Sequence, residues 1–220
     1  MPKTALLIVD VQNDFLDGGA LAVPHAEEII PVIQRLLNHP FDQIIATQDW
    51  HPRNHVSFAA NHKGDMQSVR VTYKNDAAKT YTQRLWPVHC VQGTHGADLH
   101  PEIARLPLTK IVQKGYNADV DSYSAFSDCL GIEETGLEQY LQEHNIRRIL
   151  CVGIAEDYCV FETALAAGQR GFETAVLREG VKGIEEMSGE KQTSLANAKI
   201  RYVTRADVAE FLRDGCATQA

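Results

Sequence analysis

Six short runs of β-branched and aliphatic residues recur along the chain, and this pattern restricts its fold more than any other feature. Most of the runs are continuously apolar rather than alternating, which is typical of strands covered on both faces. Segments with helical periodicity separate them, so the pattern predicts βαβ units and a doubly wound α/β fold around a parallel sheet. The predicted strands are 4–11, 41–48, 108–114, 147–154, 172–177 and 199–204, and the predicted helices are 24–39, 131–145, 156–171, 188–198 and 205–214.

One long segment, residues 50–107, interrupts this alternation between the second and third predicted strands. It has no clear periodicity but contains several histidines, several prolines and both tryptophans of the chain. Long irregular segments in compact domains are usually functional rather than filler. We therefore predict a single domain over residues 1–220, with residues 50–107 as an insertion that forms a metal site and lid.

Composition and charge exclude several classes of partner. The formal net charge is -8, and the lysines and arginines are scattered, which argues against a nucleic-acid or acidic-membrane surface. No run approaches the roughly 20 apolar residues of a membrane span, and the first apolar run lacks a signal-peptide cleavage site. The cysteines at 90, 129, 151, 159 and 216 contain no CxxC pair. They predict free thiols in a reducing compartment, and hence a cytoplasmic protein.

Reactive side chains follow four successive predicted strands. Asp10 comes after the first strand, Asp49 and His51 after the second, Lys114 after the third and Cys159 just past the fourth. The carboxyl ends of parallel strands meet at one edge of a sheet, where ligands bind. The sequence therefore predicts that an acid, two candidate metal ligands, a cation and a thiol lie together at one edge of the sheet.

Cys159 is the candidate nucleophile of this edge. It lies in the first turn of a predicted helix, where the helix dipole lowers the pKa of a thiol and a free backbone N–H can face an oxyanion. Cys151, in mid-strand, is predicted to be a buried structural residue. Asp10 is a plausible general base whose pKa rises on burial, while Lys114 opposes that rise and holds both anions.

A metal site is the hypothesis for the segment "DWHPRNH". Asp49 and His51 project to the same side of an extended segment, and Pro52 favours that conformation. A third ligand is needed, and His55 and His89 are the leading candidates, which spacing alone does not separate. Weaker candidates are His62, His95 and His100. The alternative is a surface loop that is merely rich in histidine.

Three aromatic residues fall near the same predicted edge or in its loops: Phe15, Trp86 and Tyr123. Aromatic side chains in such a place can sandwich a flat ring. Aromatic residues more often fill the core, so packing remains the alternative interpretation.

Five blocks of the sequence resemble a known family. "LLIVDVQNDF", "TQDWHPRNHVSFA", "LWPVHCVQGT", "KGYNADVDSYSAF" and "VGIAEDYCV" are similar to the nicotinamidase/pyrazinamidase branch of the isochorismatase-like cysteine hydrolases, in the same order and at compatible spacing. The resemblance implies a three-layer α/β/α sandwich around a six-stranded parallel sheet. It implies hydrolysis of nicotinamide to nicotinate and ammonia through a cysteine thioester (EC 3.5.1.19), activity on pyrazinamide, and a place in NAD salvage. It also implies one divalent metal ion (zinc, iron or manganese), with a homo-oligomer as one possible assembly.

The resemblance also assigns roles to individual residues. Asp10, Lys114 and Cys159 match the catalytic triad, and the N–H groups of Ala155 and Cys159 match the oxyanion hole, with a cis peptide before Ala155. The remaining matches are the metal ligands Asp49, His51 and His89, an additional histidine at His55 that approaches the metal in some members, and the ring-binding aromatics Phe15, Trp86 and Tyr123.

One residue departs from the family pattern, and several rival functions remain. The family turn often has threonine where this chain has Glu156, whose carboxylate we expect to face solvent. A related hydrolase acting on another small amide or on isochorismate is the enzymatic alternative, although isochorismatases lack the "DWH…WPVH" set. A nucleotide-binding module would need a GxGxxG turn after the first strand, which "VDVQNDFLDGG" does not supply. A metal-binding protein without catalysis would need neither Cys159 at a helix start nor Lys114 beside Asp10.

Overall fold

Six parallel strands form the central sheet of the computed structural model, which describes residues 2–214. Along the chain the strands are β1 Lys3–Val9, β2 Gln43–Asp49, β3 Ser68–Tyr73, β4 Asp76–Arg84, β5 Lys110–Lys114, β6 Ile146–Ile154, β7 Glu173–Lys182 and β8 Arg201–Val203. The sheet has the order β5-β2-β1-β6-β7-β8, and β3 and β4 form a separate antiparallel hairpin. All six predicted strands are confirmed as members of the sheet.

The six helices cover both faces of the sheet. They are α1 Ile30–Leu36, α2 Pro101–Ala104, α3 Leu137–Glu143, α4 Phe161–Gln169, α5 Gly189–Asn197 and α6 Val208–Asp214. Leu6 and Ile8 of β1 belong to the same hydrophobic cluster as α1 and α6. Ala5, Leu7 and Val9 belong to a second cluster with α3, α4 and α5. Because neighbouring residues of β1 point to opposite faces, this division confirms the three-layer sandwich. None of these helices is long and apolar enough to cross a membrane.

Strand β1 lies at the point where the order of the sheet reverses. It pairs with β2 on one side and with β6 on the other, so the carboxyl ends of β1 and β6 border a crevice of the kind that binds ligands in doubly wound folds. Gly153, near the end of β6, has a φ of 123°, and an added Cβ would lie 2.1 Å from the carbonyl oxygen of Val9. Only glycine permits this close approach of the two strands.

Two predicted helices differ in their bounds from the structure. The segment 131–145 is helical only from Leu137 to Glu143, because Gly131 and Gly136 adopt positive φ angles of 63° and 81° in the turns before it. The segment 24–39 forms an α-helix over Ile30–Leu36, and Pro31 lies in its first turn, as expected. A π-helical turn at Glu156–Val160 leads directly into α4.

Residues 50–107 contain regular structure that the sequence pattern did not predict. Strands β3 and β4 pair here as an antiparallel hairpin, with Val71 opposite Tyr81. Val69, Val71 and Tyr73 of β3 alternate with exposed polar residues, which is a strand signal that sequence reasoning missed, whereas β4 is largely exposed and buries only Gln83. A short helix, α2, follows, with Pro101 at its start and His100 as its N-cap.

Candidate active site

The ammonium group of Lys114 is the centre of the candidate site at the carboxyl edge of the sheet. Its Nζ lies 2.9 Å from Oδ2 of Asp10 and 2.5 Å from Oδ1 of Asp49. It also lies 3.4 Å from Sγ of Cys159 and donates to the carbonyl oxygen of Ser122 at 3.0 Å. The acid, the cation and the thiol that the sequence predicted at one edge are therefore in direct contact.

Asp10 is held in one orientation by its neighbour on β2. Its backbone has a φ of 50°, directly after the end of β1. The hydroxyl of Thr47 accepts from the backbone N–H of Asp10 at 3.1 Å and donates to Oδ1 at 2.5 Å. Oδ2 has the ion pair with Lys114 but no aligned hydrogen bond. This leaves Oδ2 as the oxygen that can accept a proton.

The two carboxylates around Lys114 have pKa values shifted in opposite directions. Burial raises the pKa of Asp10 above its ordinary value, and Lys114 only partly opposes this rise, as expected from the sequence. Burial also acts to raise the pKa of Asp49, but Lys114 and His51 outweigh it and hold that pKa well below its usual range. Despite burial, the two carboxylates keep the pKa of Lys114 well above its ordinary value. Asp10 is therefore the more basic of the two carboxylates.

Cys159 lies in the π-helical turn before α4 and is almost fully buried. Burial raises its pKa well above the ordinary thiol value, Lys114 opposes the rise, and the carboxylate of Asp10 adds to it. The expectation that a helix start lowers this pKa is therefore wrong, because burial beside two carboxylates outweighs the favourable position. A thiol in this environment needs a neighbouring base to become a thiolate.

The other cysteines in the described part of the chain are also free thiols. Cys90 and Cys151 are buried, and Cys129 is half-buried. Cys151 packs in the core on β6, as the sequence predicted, and burial raises its pKa to about 12. Cys216 lies outside the described residues.

The turn that carries Cys159 is attached by hydrogen bonds to the segment after β7. The peptide between Ile154 and Ala155 is cis, as the resemblance implied, and Ala155 precedes the π-helical turn. The carboxylate of Asp157 accepts from the backbone N–H groups of Ile184 and Glu185 at 2.9 and 3.0 Å. The segment after β7 is thereby attached to the turn.

Glu156 has a defined partner rather than solvent alone. Its side chain is half-buried, and its carboxylate accepts from the hydroxyl of Tyr202 on β8 at 2.6 Å. The expectation that this carboxylate faces solvent is therefore wrong. The hydrogen bond directs it towards β8.

Asp49, His51 and His89 form a group that can hold a metal ion. Their ligand atoms lie within 4.8 Å of one another, and all three residues are buried. Nδ1 of His51 is 2.8 Å from the carbonyl oxygen of Gly115, and Nδ1 of His89 is 2.7 Å from that of Pro87. Each Nδ1 therefore donates its proton to a carbonyl, which leaves each Nε2 with the lone pair that a metal needs.

His55 belongs to a second, overlapping group with His51 and Asp121. Its ring stacks on that of His51 at 4.1 Å, and its Nδ1 lies 2.7 Å from the hydroxyl of Ser57. Its Nε2 is buried without a hydrogen-bond partner and lies 3.9 Å from Oδ1 of Asp121. An orphaned buried nitrogen beside the two other ligand-type side chains of this group is consistent with a cation site.

The weaker histidine candidates lie in other environments. His62 contacts the carbonyl oxygen of Val56 at 2.7 Å, His95 is largely exposed, and His100 caps α2.

The pKa values of two of the three inner histidines, His55 and His89, favour the neutral ring that binds a metal ion. Burial lowers the pKa of both His55 and His89 to about 4, so both rings are neutral at pH 7. Burial opposes protonation of His51 too, but Asp49 outweighs it and raises that pKa.

A small pocket opens beside the thiol. Phe15, Trp86 and Tyr123 line it as the sequence predicted, together with the metal-type residues and Cys159. The hydroxyl of Tyr123 accepts from Nε1 of Trp86 at 2.9 Å, which fixes the two rings relative to each other. Sequence reasoning missed four further lining residues, namely Leu21, Asp121, Tyr158 and Ile184.

Two polar residues around the site were also missed. Gln12 holds the backbone of Asp49 from both sides, since Nε2 donates to its carbonyl oxygen at 2.9 Å and Oε1 accepts from its N–H at 2.8 Å. Thr47 orients Asp10, as described above. A usable signal existed for Thr47, because residues two apart on a strand share a face, and Thr47 and Asp49 are two apart on β2.

The family profile of the isochorismatase domain matches residues 4–210 of this chain. The chain belongs to the isochorismatase family. The nicotinamidase of Acinetobacter baylyi is 44% identical over 190 residues, which are 86% of this chain and 85% of that protein. The resemblance carried by the five sequence blocks is therefore confirmed.

Solved structures of family members have the same fold. Yeast nicotinamidase bound to the inhibitor nicotinaldehyde has a TM-score of 0.84 at 34% identity, covering 92% of this chain and 100% of that one. A pyrazinamidase of Pyrococcus horikoshii in complex with zinc has a TM-score of 0.66 at 34% identity, covering 92% of this chain and 99% of that one.

Replacement of Lys114 should destabilise the fold more than replacement of an exposed lysine. Lys114→Met leaves two buried carboxylates without their cation, so we expect the free energy of unfolding to fall by about 3–5 kcal/mol. The matched control is Lys74→Met, which breaks an exposed ion pair with Asp119 and should change stability little. Urea unfolding of metal-free protein measures both, and equal effects of the two substitutions would contradict the assignment of Lys114 as the buried counter-ion.

Proposed function

We propose that this protein hydrolyses nicotinamide to nicotinate and ammonia with Cys159 as the nucleophile. The observation that carries the proposal is the placement of Sγ of Cys159. It lies 3.4 Å from the ammonium of Lys114, which in turn contacts Asp10, and it borders a pocket lined by aromatic rings. A nicotinamidase relative at 44% identity supports the choice of substrate.

Asp10 acts as the general base in the first step. It takes the proton from Sγ of Cys159, and the resulting thiolate attacks the carbon of the carboxamide. Lys114 contacts both Asp10 and Sγ, so its charge stabilises the thiolate as it forms. The carbonyl oxygen of the substrate becomes an oxyanion, for which the backbone N–H groups of Ala155 and Cys159 are the proposed donors. Each such donor contributes on the order of 3 kcal/mol to a transition state of this kind.

Collapse of the tetrahedral intermediate breaks the carbon–nitrogen bond. Asp10 returns its proton to the leaving nitrogen, ammonia departs, and the acyl group remains on Cys159 as a thioester. Water then attacks the thioester carbonyl while Asp10 accepts its proton. The carbon–sulfur bond breaks, and the proton held by Asp10 returns to Sγ. Nicotinic acid leaves and ionises to nicotinate by losing its carboxyl proton to solvent.

Asp49, His51 and His89 are the proposed ligands of one divalent ion, with His55 beside them. Their imidazole and carboxylate side chains suit zinc, iron or manganese, and the zinc-bound pyrazinamidase relative supports this assignment. When bound, such an ion supplies a Lewis acid for the ring nitrogen of the substrate. Phe15, Trp86 and Tyr123 are proposed to hold the flat ring, and the same contacts suit pyrazinamide.

The wider expectations stay predictions. They are a single domain over residues 1–220 with the metal site and lid at residues 50–107, a cytoplasmic location, a homo-oligomeric assembly and a place in NAD salvage. Nicotinamide as the small-molecule partner has the support of the inhibitor-bound relative, whose ligand is the aldehyde analogue of this amide.

Cys159→Ala should abolish ammonia release while nicotinamide still binds. The substitution removes only Sγ, so the aromatic walls and the metal-type residues remain to hold the ring. Enzymatic detection of ammonia and calorimetric titration with nicotinamide measure the two properties. The matched control is Cys151→Ala, which removes a buried thiol from the core and should retain turnover. Turnover by Cys159→Ala would rule out this nucleophile.

Removal of the metal should abolish activity, and reconstitution should restore it. We expect treatment with a chelator to lower metal content and ammonia release together, and added zinc, iron or manganese to recover both. His89→Ala should lose metal and activity, whereas His95→Ala, which alters an exposed histidine, should keep both. Full activity in a sample without measurable metal would contradict this role.

The acid limb of the pH profile should depend on Thr47. The hydrogen bond from Thr47 favours the ionised form of Asp10 and lowers its pKa, so its loss raises that pKa further. A base is inactive once protonated, so Thr47→Val should move the acid limb of kcat/KM to higher pH. Thr47→Ser, which keeps a hydroxyl, should leave the limb near its original position. The profiles are compared at equal metal content, and an unshifted limb in Thr47→Val would contradict the role of Asp10 as base.

A further inference from the structure

One wall of the pocket is held together by polar contacts behind its aromatic rings. The rings of Trp86 and Tyr158 meet edge to face at 4.9 Å, and those of Tyr123 and Tyr158 lie 5.6 Å apart. The hydroxyl of Tyr123 accepts from Nε2 of Gln83 at 3.0 Å, in addition to the indole N–H. The end of β4 thus lies directly behind this wall.

Arg84, the last residue of β4, contacts two of these rings at once. Its guanidinium lies 4.6 Å from the ring centroid of Trp86 and 5.7 Å from that of Tyr158. Nη1 also donates to the hydroxyl of Tyr158 and to Oε1 of Glu185 at 2.9 Å. A planar guanidinium can stack on one ring and donate in its own plane to other groups, which a lysine ammonium does not do.

Each partner of Arg84 belongs to a different element of the pocket. Trp86 follows the hairpin, Tyr158 precedes the nucleophile in the π-helical turn, and Glu185 follows the lining residue Ile184. Arg84 is therefore a common contact of three segments that border the substrate ring. Lys191 lies 4.5 Å from the centroid of Tyr158 and donates to the carbonyl oxygen of Asp157, so a second cation also packs on that ring.

We infer that Arg84 is a positioning residue that holds the rings of Trp86 and Tyr158 at the distance at which they contact the substrate ring. The inference rests on the proposed function, because it concerns binding of nicotinamide in the same pocket. Arg84 does not line the pocket and takes no part in proton transfer. Its loss should therefore weaken ring binding and leave the chemical step at Cys159 largely unchanged.

Steady-state kinetics of Arg84→Met test this inference. The expected result is a rise in the KM for nicotinamide of about three- to tenfold, the size that loss of an exposed cation–π contact and a hydrogen bond produces, with kcat within about twofold. Arg84→Lys should recover only part of the loss, because it keeps the charge near Glu185 but not the planar stack. In a Cys159→Ala background, the Kd for nicotinamide should rise by the same factor, independently of turnover.

The matched control is Arg70→Met on the same hairpin, where Arg70 donates only to Thr80 of the facing strand in the contacts observed. It should leave KM unchanged, and circular dichroism should show that every variant is folded. An unchanged KM in Arg84→Met, a fall in kcat alone, or an equal rise in Arg70→Met would overturn the inference. Absence of turnover by the unsubstituted protein would instead count against the proposed function, while the titration in the Cys159→Ala background would still test Arg84.

Discussion

The buried ammonium of Lys114 is the interaction on which the rest of the site depends. A buried charge is tolerated only when it is paired, and here the ends of β1 and β2 supply Asp10 and Asp49 as its partners. Transfer of the proton from Cys159 to Asp10 moves one negative charge from an oxygen to a sulfur, and both atoms lie beside the same ammonium. The total charge around Lys114 is unchanged by this step, so the proposed chemistry requires no new counter-ion.

Asp49 joins the two halves of the site. One carboxylate oxygen contacts Lys114, and the other lies 3.6 Å from Nε2 of His51 in the metal-type group. The Gln12 side chain holds the backbone of Asp49 on both sides. A displacement of Asp49 would therefore alter both its ion pair with Lys114 and the group of metal ligands. The two hydrogen bonds from Gln12 hold Asp49 against such a displacement.

The fold and the reactive residues at the carboxyl edge of the sheet could be predicted from the sequence, because both depend on local patterns. Continuous apolar runs mark covered strands, and the residue after each run must lie at the shared edge, which places Asp10, Asp49, Lys114 and Cys159. The hairpin β3–β4 was missed although β3 alternates apolar and polar residues, because β4 has no such alternation and both strands are largely exposed. The lowered pKa expected for Cys159 and the solvent exposure expected for Glu156 were wrong for a related reason. Each depends on burial and on neighbours distant in sequence, which periodicity does not encode.

The hydrogen bond between Glu156 and Tyr202 links the nucleophile's turn to the outermost strand of the sheet. Strand β8 has only three residues, and a short edge strand near the chain end is ordinarily an attractive place to attach a tag, an epitope or a fused domain. In this protein, an attachment that displaced β8 would also displace the turn that carries Cys159, because Tyr202 on β8 is hydrogen-bonded to Glu156 in that turn. The safer position for protein engineering is the turn of the β3–β4 hairpin, where Lys74 and Asn75 are exposed, and not the strand beside Tyr202.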